Sequence, residues 1–263
     1  MDTTNLFSDI EKIRTKNPLI HNITNYVVMN TTANALLAIG ASPVMAHAVE
    51  EVEEMVTFSS ALVINIGTLS HKWIEAMGIA MEMAKSLSKP IVLDPVGAGA
   101  TMLRNDTCSY LMDKASPSII RGNGSEIMAL ANVAIKTKGV DSSASSDAAL
   151  DAAKALALAT GAVVVISGQT DYITNGRQVL TVTNGNPLMA RVTGMGCSAT
   201  ALCGTFAAVN PNYMEAAHHA MITMGICGEM ALEKSEGPAS LQMHFIDALY
   251  AITKSDIEKR IKQ

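Results

Sequence analysis

The chain has 263 residues, 49% of them hydrophobic and 16% charged, with a formal net charge of −5. That length lies near the roughly 250–300 residues at which one hydrophobic core stops growing, so a single domain over 1–263 is expected, with a core that needs no staples. The mild acidity and an aromatic content of only 4% exclude a basic, base-stacking surface, and nucleic acid is not an expected partner.

The N-terminal residues mix acids and bases without an apolar h-region, so no secretory signal is read and a cytoplasmic location is expected. An amide-rich cluster follows: His21-Asn22-Ile23-Thr24-Asn25, then Asn30 and Asn34. The spacings of five and four predict that Asn25, Asn30 and Asn34 share part of one helix face, pointing amides at a pocket or at another helix. Met45, after a short strand, is a candidate pocket-lining residue, although methionine is more often core filler. The four glutamates between Glu50 and Glu54 read as a solvated helix face.

Nearly continuous apolar runs at Ala61 to Ile66, Pro90 to Leu93, Ser118 to Ile120 and Ala162 to Ile166 predict strands buried on both faces. Helical segments from about Ser70 to Ser88 and Ser146 to Thr160 supply the crossovers that parallel strands require. Gly139 to Ser146 reads as a mobile polar loop. Past Gly168, Asp171 to Thr174 and Gln178 to Thr183 alternate in polarity around Asn175-Gly176, which predicts a hairpin at one side of the sheet. Pro187 to Val192 then leads into a glycine turn, and helices are predicted over Cys197 to Val209, Tyr213 to Lys234 and Ala239 to Lys254. The fold class is a layered α/β domain with a mostly parallel central sheet flanked by helices. The longest uncharged stretch, Val192 to Met214, is broken by Gly194, Gly196, Gly204 and Pro211, so no membrane anchor is expected.

Ligands of open α/β sheets gather at the carboxyl ends of the parallel strands. Glycines there lie beside Asn65, Asp94, Arg121, Glu126 and Ser167, and the charged members suit a metal-bound polyphosphate, although helix capping and mutual pairing are also open to them. Thr193-Gly194-Met195-Gly196-Cys197-Ser198 opens a helix, presenting free N–H groups and a positive dipole end to an anion. The same placement is expected to favour a thiolate at Cys197, a plausible base toward an alcohol. The other cysteines, Cys108, Cys203 and Cys227, read as buried hydrophobes, because no CxxC pair or disulfide framework is present. Gly194 to Ala199 also matches G-x-G-x-x-A, a weak dinucleotide signal, and no Walker A lysine follows a glycine anywhere. The pair His218-His219 lacks an HExxH pattern and is a poor metal candidate.

Taken in order, HNITNYVVMNTTANALLAIGASPVM, LDPVGAGAT, IIRGNGSEI, VVVISGQTDYI and VTGMGCSATAL resemble the hydroxyethylthiazole kinase family of the ribokinase-like superfamily, over nearly the whole chain. The resemblance implies a ribokinase-like fold and ATP-dependent phosphorylation of 4-methyl-5-(2-hydroxyethyl)thiazole in thiamine biosynthesis or salvage, with Mg2+. It also implies a catalytic Cys197, thiazole contacts at Asn25, Met45 and Gly194, ATP contacts at Arg121 and Ser167, magnesium near Asp94 and Glu126, and a homotrimer with sites between subunits. Two departures from the family pattern stand out, Met195 and Ser167 in place of threonines; Met195 removes a hydroxyl from the anion loop and leaves phosphate contacts there to backbone N–H groups. A related kinase for another small alcohol, and a non-catalytic nucleotide- or thiazole-binding trimer, are the competing readings.

Overall fold

The computed structural model describes residues 3–136 and 148–262. The predicted loop from Gly139 to Ser146 lies outside the described residues. The chain begins with α1 (Thr3–Lys16), β1 (Leu19–Ile23), α2 (Met29–Ile39) and β2 (Ser42–Val44). Alternating helices and strands follow: α3 (Val52–Phe58), β3 (Ala61–Asn65), α4 (His71–Ser86), β4 (Ile91–Asp94), α5 (Met102–Lys114), β5 (Ile119–Asn123) and α6 (Gly124–Lys136). Then come α7 (Ala148–Thr160), β6 (Val163–Ser167), β7 (Asp171–Thr174), β8 (Val179–Val182) and a 3-10 turn, Pro187–Arg191. The last helices are α8 (Met195–Ala207), α9 (Tyr213–Leu232), α10 (Pro238–Ala251) and α11 (Lys254–Arg260).

Among the described residues, the eight strands join one sheet in the order β2-β1-β3-β4-β5-β6-β7-β8. Strands β1 to β6 run parallel, and the hairpin β7–β8 extends the edge antiparallel, as the Asn175-Gly176 turn predicted. Because successive side chains point to opposite faces, each apolar run feeds two cores. Ala61, Val63 and Val92 pack under α1, α2 and α8 to α11, whereas Leu62, Ile64 and Leu93 pack against α3 to α7.

Helix α8 is the element that matters most for the site. Eleven of its 13 residues are buried, as an all-round apolar helix requires. It presses directly on the sheet at Gly204, where an added Cβ would lie 2.5 Å from Val63 Cγ2. That close seat sets the beginning of α8 over the carboxyl ends of β3, β4 and β5.

Three expectations change. Helix α2 begins at Met29, so Asn25 sits in the preceding turn and shares no helix face with Asn30 and Asn34, which bond to each other 3.1 Å apart. The helix expected over Ala239 to Lys254 stops at Ala251, because Thr253 is extended and its hydroxyl caps a new helix at the Asp256 N–H. Arg121 to Asn123 lie within β5, not after it, since pairing with β6 continues to Asn123 opposite Ser167.

His219 is structural. Its Nδ1 lies 2.8 Å from the buried Asp9 carboxylate, which also accepts from Asn210 (2.7 Å) and Lys12 (2.8 Å), tying α1 to α9. Cys108, Cys203 and Cys227 are buried free thiols. Among the described residues, no helix is long and apolar enough to cross a membrane.

Candidate active site

The carboxyl ends of β1, β3, β4, β5 and β6 deliver one polar cluster. Asn65, the last residue of β3, is its hub: its Nδ2 donates to Asp94 Oδ2 (2.8 Å) and to Cys197 Sγ (3.3 Å). Its Oδ1 accepts from Asn25 Nδ2 (2.9 Å) and from the Gly67 N–H (2.9 Å). Asn25 Nδ2 also lies 3.5 Å from Cys197 Sγ. Thr200, one turn into α8, donates to Asp94 Oδ2 (2.8 Å), and the other Asp94 oxygen, Oδ1, is buried with no partner among the described residues.

A second group surrounds Arg121. Its Nη2 donates to Ser167 Oγ at 2.5 Å, while its Nε is buried without a partner among the described residues. The guanidinium lies against the backbone of Gly196; a Cβ there would stand 2.7 Å from Nη1. Gly194 caps α8 in the left-handed conformation with φ 86°, and the Ser198 N–H is the first to bond back into the helix, at Gly194 O. The N–H groups of Met195, Gly196 and Cys197 precede that first bond, beside a fixed positive charge. An anion placed there would meet both.

Glu126 is more committed than its sequence position suggested. It forms a reciprocal cap with Asn123: Glu126 Oε2 accepts from Asn123 N–H (2.8 Å) while Asn123 Oδ1 accepts from Glu126 N–H (2.9 Å). Glu126 Oε1 accepts from the Gly97 N–H (2.9 Å), closing the glycine turn after β4 onto α6. Each oxygen keeps one lone pair. Met45 follows β2 near the sheet edge and is half-buried, and Gly194 packs on Val28, a few residues past Asn25.

A cavity of about 760 Å³ extends from this corner. Arg121, Ser167, Met195 and Gly196 bound one end, and residues of the segment Thr183 to Ala190 with Met221, Met224 and Gly225 of α9 form the other. The G-x-G-x-x-A match has no dinucleotide context, because the 3-10 turn and not a parallel strand precedes α8.

The sequence pattern of the hydroxyethylthiazole kinase family matches residues 10–255. A protein of Syntrophus aciditrophicus named hydroxyethylthiazole kinase is 57% identical over 259 residues, covering 98% of this chain and 96% of that protein. The chain belongs to the hydroxyethylthiazole kinase family. The solved structure of a hydroxyethylthiazole kinase protein from Pyrococcus horikoshii OT3 is 42% identical over 98% of both chains, with a TM-score of 0.91. A ribokinase-like superfamily protein from Enterococcus faecalis V583 shares the fold at 15% identity, with a TM-score of 0.63, over 95% of this chain and 90% of that one.

The candidate site departs from one expectation about charge. Burial pushes the Cys197 thiol up, and the nearby Asp94 pushes it further; the amides of Asn25 and Asn65 and the Arg121 charge pull the other way without reversing it. The helix start therefore does not hold a thiolate in the free protein, because the dipole end faces a site that is mostly out of water. Burial likewise raises Asp94 to about 6, against the pull of Arg121, Thr200 and Asn65.

Several residues of the candidate site had no role assigned from the sequence. Asn65 was picked out as a strand-end residue but given no role, since it carries no charge. Thr200 needed the helical offset from Gly196 to be known. Asp171, which lines the cavity and accepts from the Gly168 N–H (2.9 Å), was read only as the start of a hairpin; burial raises it to about 6. Arg104 donates to the carbonyls of Ile66 (2.7 Å), Val96 (2.5 Å) and Gly67 (3.0 Å), fastening the turns after β3 and β4 to each other. Tyr26, Trp73 and His47 stack beside the Asn25 turn, with centroid separations of 4.7 and 4.6 Å to Trp73.

Proposed function

We propose that this chain, as a single domain, transfers the γ-phosphoryl group of ATP to the hydroxyl of 4-methyl-5-(2-hydroxyethyl)thiazole. One observation carries the reading: Arg121 and the start of α8 at Met195 and Gly196 bound one end of a cavity large enough for a nucleotide, and Cys197, the next residue of α8, joins that end to the Asn65–Asp94 pair. Membership of the family supplies the acceptor alcohol.

The residues divide the task. Arg121 and the α8 N–H groups take the negative charge of the transferring phosphoryl oxygens. Ser167 fixes the guanidinium plane through its hydroxyl. Asn25 and Gly194 border the thiazole side, with Met45 toward the outer edge. Cys197 holds the alcohol in line as a neutral thiol. A base is not demanding here, since phosphoryl transfer has a loose transition state that needs little activation of the nucleophile.

The donor set fits magnesium. Mg2+ usually takes one or two carboxylates and fills its octahedron with phosphate and water, and Asp94 Oδ1 is a buried oxygen with nothing else to accept. Asp94 would hold the ion directly, and Glu126 would reach it with a spare lone pair. A bound ion there would offset phosphate charge beside Arg121. Among the described residues, no set of three His, Cys, Asp or Glu side chains forms a metal cage of its own.

The exposed Tyr26 (62%) and Val27 (69%) follow Asn25 directly, an apolar rim that a second and third copy of the chain would cover. A homotrimer with the thiazole pocket between subunits accounts for that rim. Incubation with magnesium-ATP and the thiazole alcohol should release ADP only when the alcohol is present. A much higher kcat/KM with another alcohol would reassign the acceptor, and binding of both ligands without turnover would reduce the chain to a binding protein. Cys197→Ala should lower kcat by about 10²-fold with thiazole binding nearly intact, whereas Cys197→Asp keeps activity. Parental turnover in both variants would remove Cys197 from the mechanism.

A further inference from the structure

The far wall of the large cavity is one irregular segment, Thr183 to Asn186, running into the 3-10 turn Pro187–Arg191. Nothing in that segment is a helix or strand that could hold its own shape. Its position is set from outside, by α9 and by the C-terminal residues. On α9, Gly225 and Gly228 remove the side chains that would block the approach: a Cβ at Gly225 would stand 2.6 Å from Asn184 O, and one at Gly228 would strike the Met189 side chain. Glu229, one turn beyond Gly225, accepts from the Gly185 N–H (2.9 Å) and from Asn184 Nδ2 (3.2 Å). Asn186 Nδ2 donates to Gly228 O (2.8 Å).

The C-terminal residues complete the hold from the other side. Asn184 Nδ2 donates to Arg260 O (2.8 Å), the Lys262 N–H donates to Asn184 Oδ1 (3.3 Å), and Lys262 Nζ reaches Glu229 Oε1 (2.6 Å). Arg260 is anchored in turn by two hydrogen bonds to Glu233, at 2.6 and 2.9 Å. Behind Asn184 lies a second cavity of about 460 Å³, bordered by Lys262 and Glu258. Asn184 lines both cavities; it packs on Gly225 of α9, and hydrogen bonds to Glu229, Arg260 and Lys262 orient its side-chain amide. A segment supported in this way moves when its partners are removed.

We propose that the C-terminal residues Arg260 to Lys262, acting through Glu229 and Asn184, are positioning residues for the nucleotide end of the cavity, and so set the affinity for ATP without touching it. This rests on the reading of that cavity as the nucleotide site. Neither Glu229 nor Lys262 lines the large cavity or reaches the phosphoryl corner. Their loss acts on the binding of the nucleotide and not on the transfer step.

The test uses the full chain with Glu229→Gln and Lys262→Ala, the second altering only an exposed side chain. Both should raise KM for ATP, by about tenfold for Glu229→Gln and a few-fold for Lys262→Ala, while kcat and KM for the thiazole alcohol stay within about twofold of the parent. Calorimetric binding of ADP should weaken in parallel, and amide hydrogen exchange of the peptide containing Gly185 should quicken. A merely stabilising pair would lower the melting temperature and leave the two KM values in their parental ratio. That result, or unchanged ADP binding and Gly185 exchange in Lys262→Ala, overturns the proposal even if Glu229→Gln fails to fold. A parent that bound no ADP would overturn the cavity reading and this inference together, whereas a binding parent with equally binding variants overturns this inference alone.

Discussion

The two ends of the cavity are built on different principles. At the phosphoryl end, Asn65, Asp94, Arg121 and Ser167 stand on parallel strands, and Gly196 and Cys197 on a core helix seated at Gly204. Those groups are held by the best-packed part of the molecule. At the opposite end, the wall from Thr183 to Ala190 is irregular chain, held by side chains of α9 and the C-terminus. Precision of a few tenths of an ångström is needed where charge is transferred, and rigid elements provide it. A wall that only bounds a proposed nucleotide site needs the right average position, and polar contacts suffice.

Substitutions at the two ends should therefore differ in kind. The largest effect is expected from Arg121→Ala, which removes the guanidinium beside the α8 N–H groups. Its kcat/KM for ATP should fall by about 10² to 10³, measured by coupled ADP release. Retention of more than a tenth of parental kcat/KM would mean that phosphate charge is met elsewhere and that the two ends are less distinct than drawn here.

Asp171 sits on the cavity between them, and its effect is on stability. Its ordinary value is 3.8, and burial raises it to about 6 in the folded chain. The folded state thus holds the proton more tightly, and the stability this contributes is present below about pH 4 and lost as pH rises through 6. Asp171→Asn keeps an acceptor for the Gly168 N–H and avoids burying the charge. It should melt higher than the parent above pH 6, by on the order of 2 kcal/mol, with the gap closing toward pH 4. A difference that did not vary with pH would point to packing and not to the carboxylate.

The smallest effect is expected at Gly196. An alanine Cβ would meet Arg121 Nη1 at 2.7 Å, but a guanidinium can swing aside. Gly196→Ala should fold normally and lose about tenfold in kcat/KM for ATP as Arg121 leaves Ser167. If activity were unchanged, the guanidinium would not need its present place.

The central strands, the edge hairpin and the glycine entry to α8 were legible in the sequence because each depends on neighbours along the chain. A buried parallel strand must be an apolar run, a tight hairpin needs residues that tolerate positive φ, and a helix start needs an opening turn. The charged candidates could be named from the sequence too, since Asp94 and Arg121 directly follow such runs and Glu126 stands in the glycine-rich stretch just beyond. Where they point was not legible: Glu126 spends one lone pair of each oxygen on backbone N–H groups from two separate turns. The helix-start cysteine suggested a lowered thiol, and burial with Asp94 alongside reversed the direction.

What the sequence determined by itself is the α/β architecture, the family and the set of polar groups at the strand ends, because those follow from local periodicity and from motifs of adjacent residues. The tertiary structure alone decided that Asn65 joins Asn25, Asp94 and Cys197, that Asn25 leaves the helix of Asn30 and Asn34, and that Glu229 and Lys262 reach the wall at Asn184. Each of these contacts joins residues from separate elements, many of them far apart along the chain. Whether two such residues meet depends on how helices seat on the sheet, through close approaches such as Gly204 on Val63 and Gly225 on Asn184, and no local pattern records that distance.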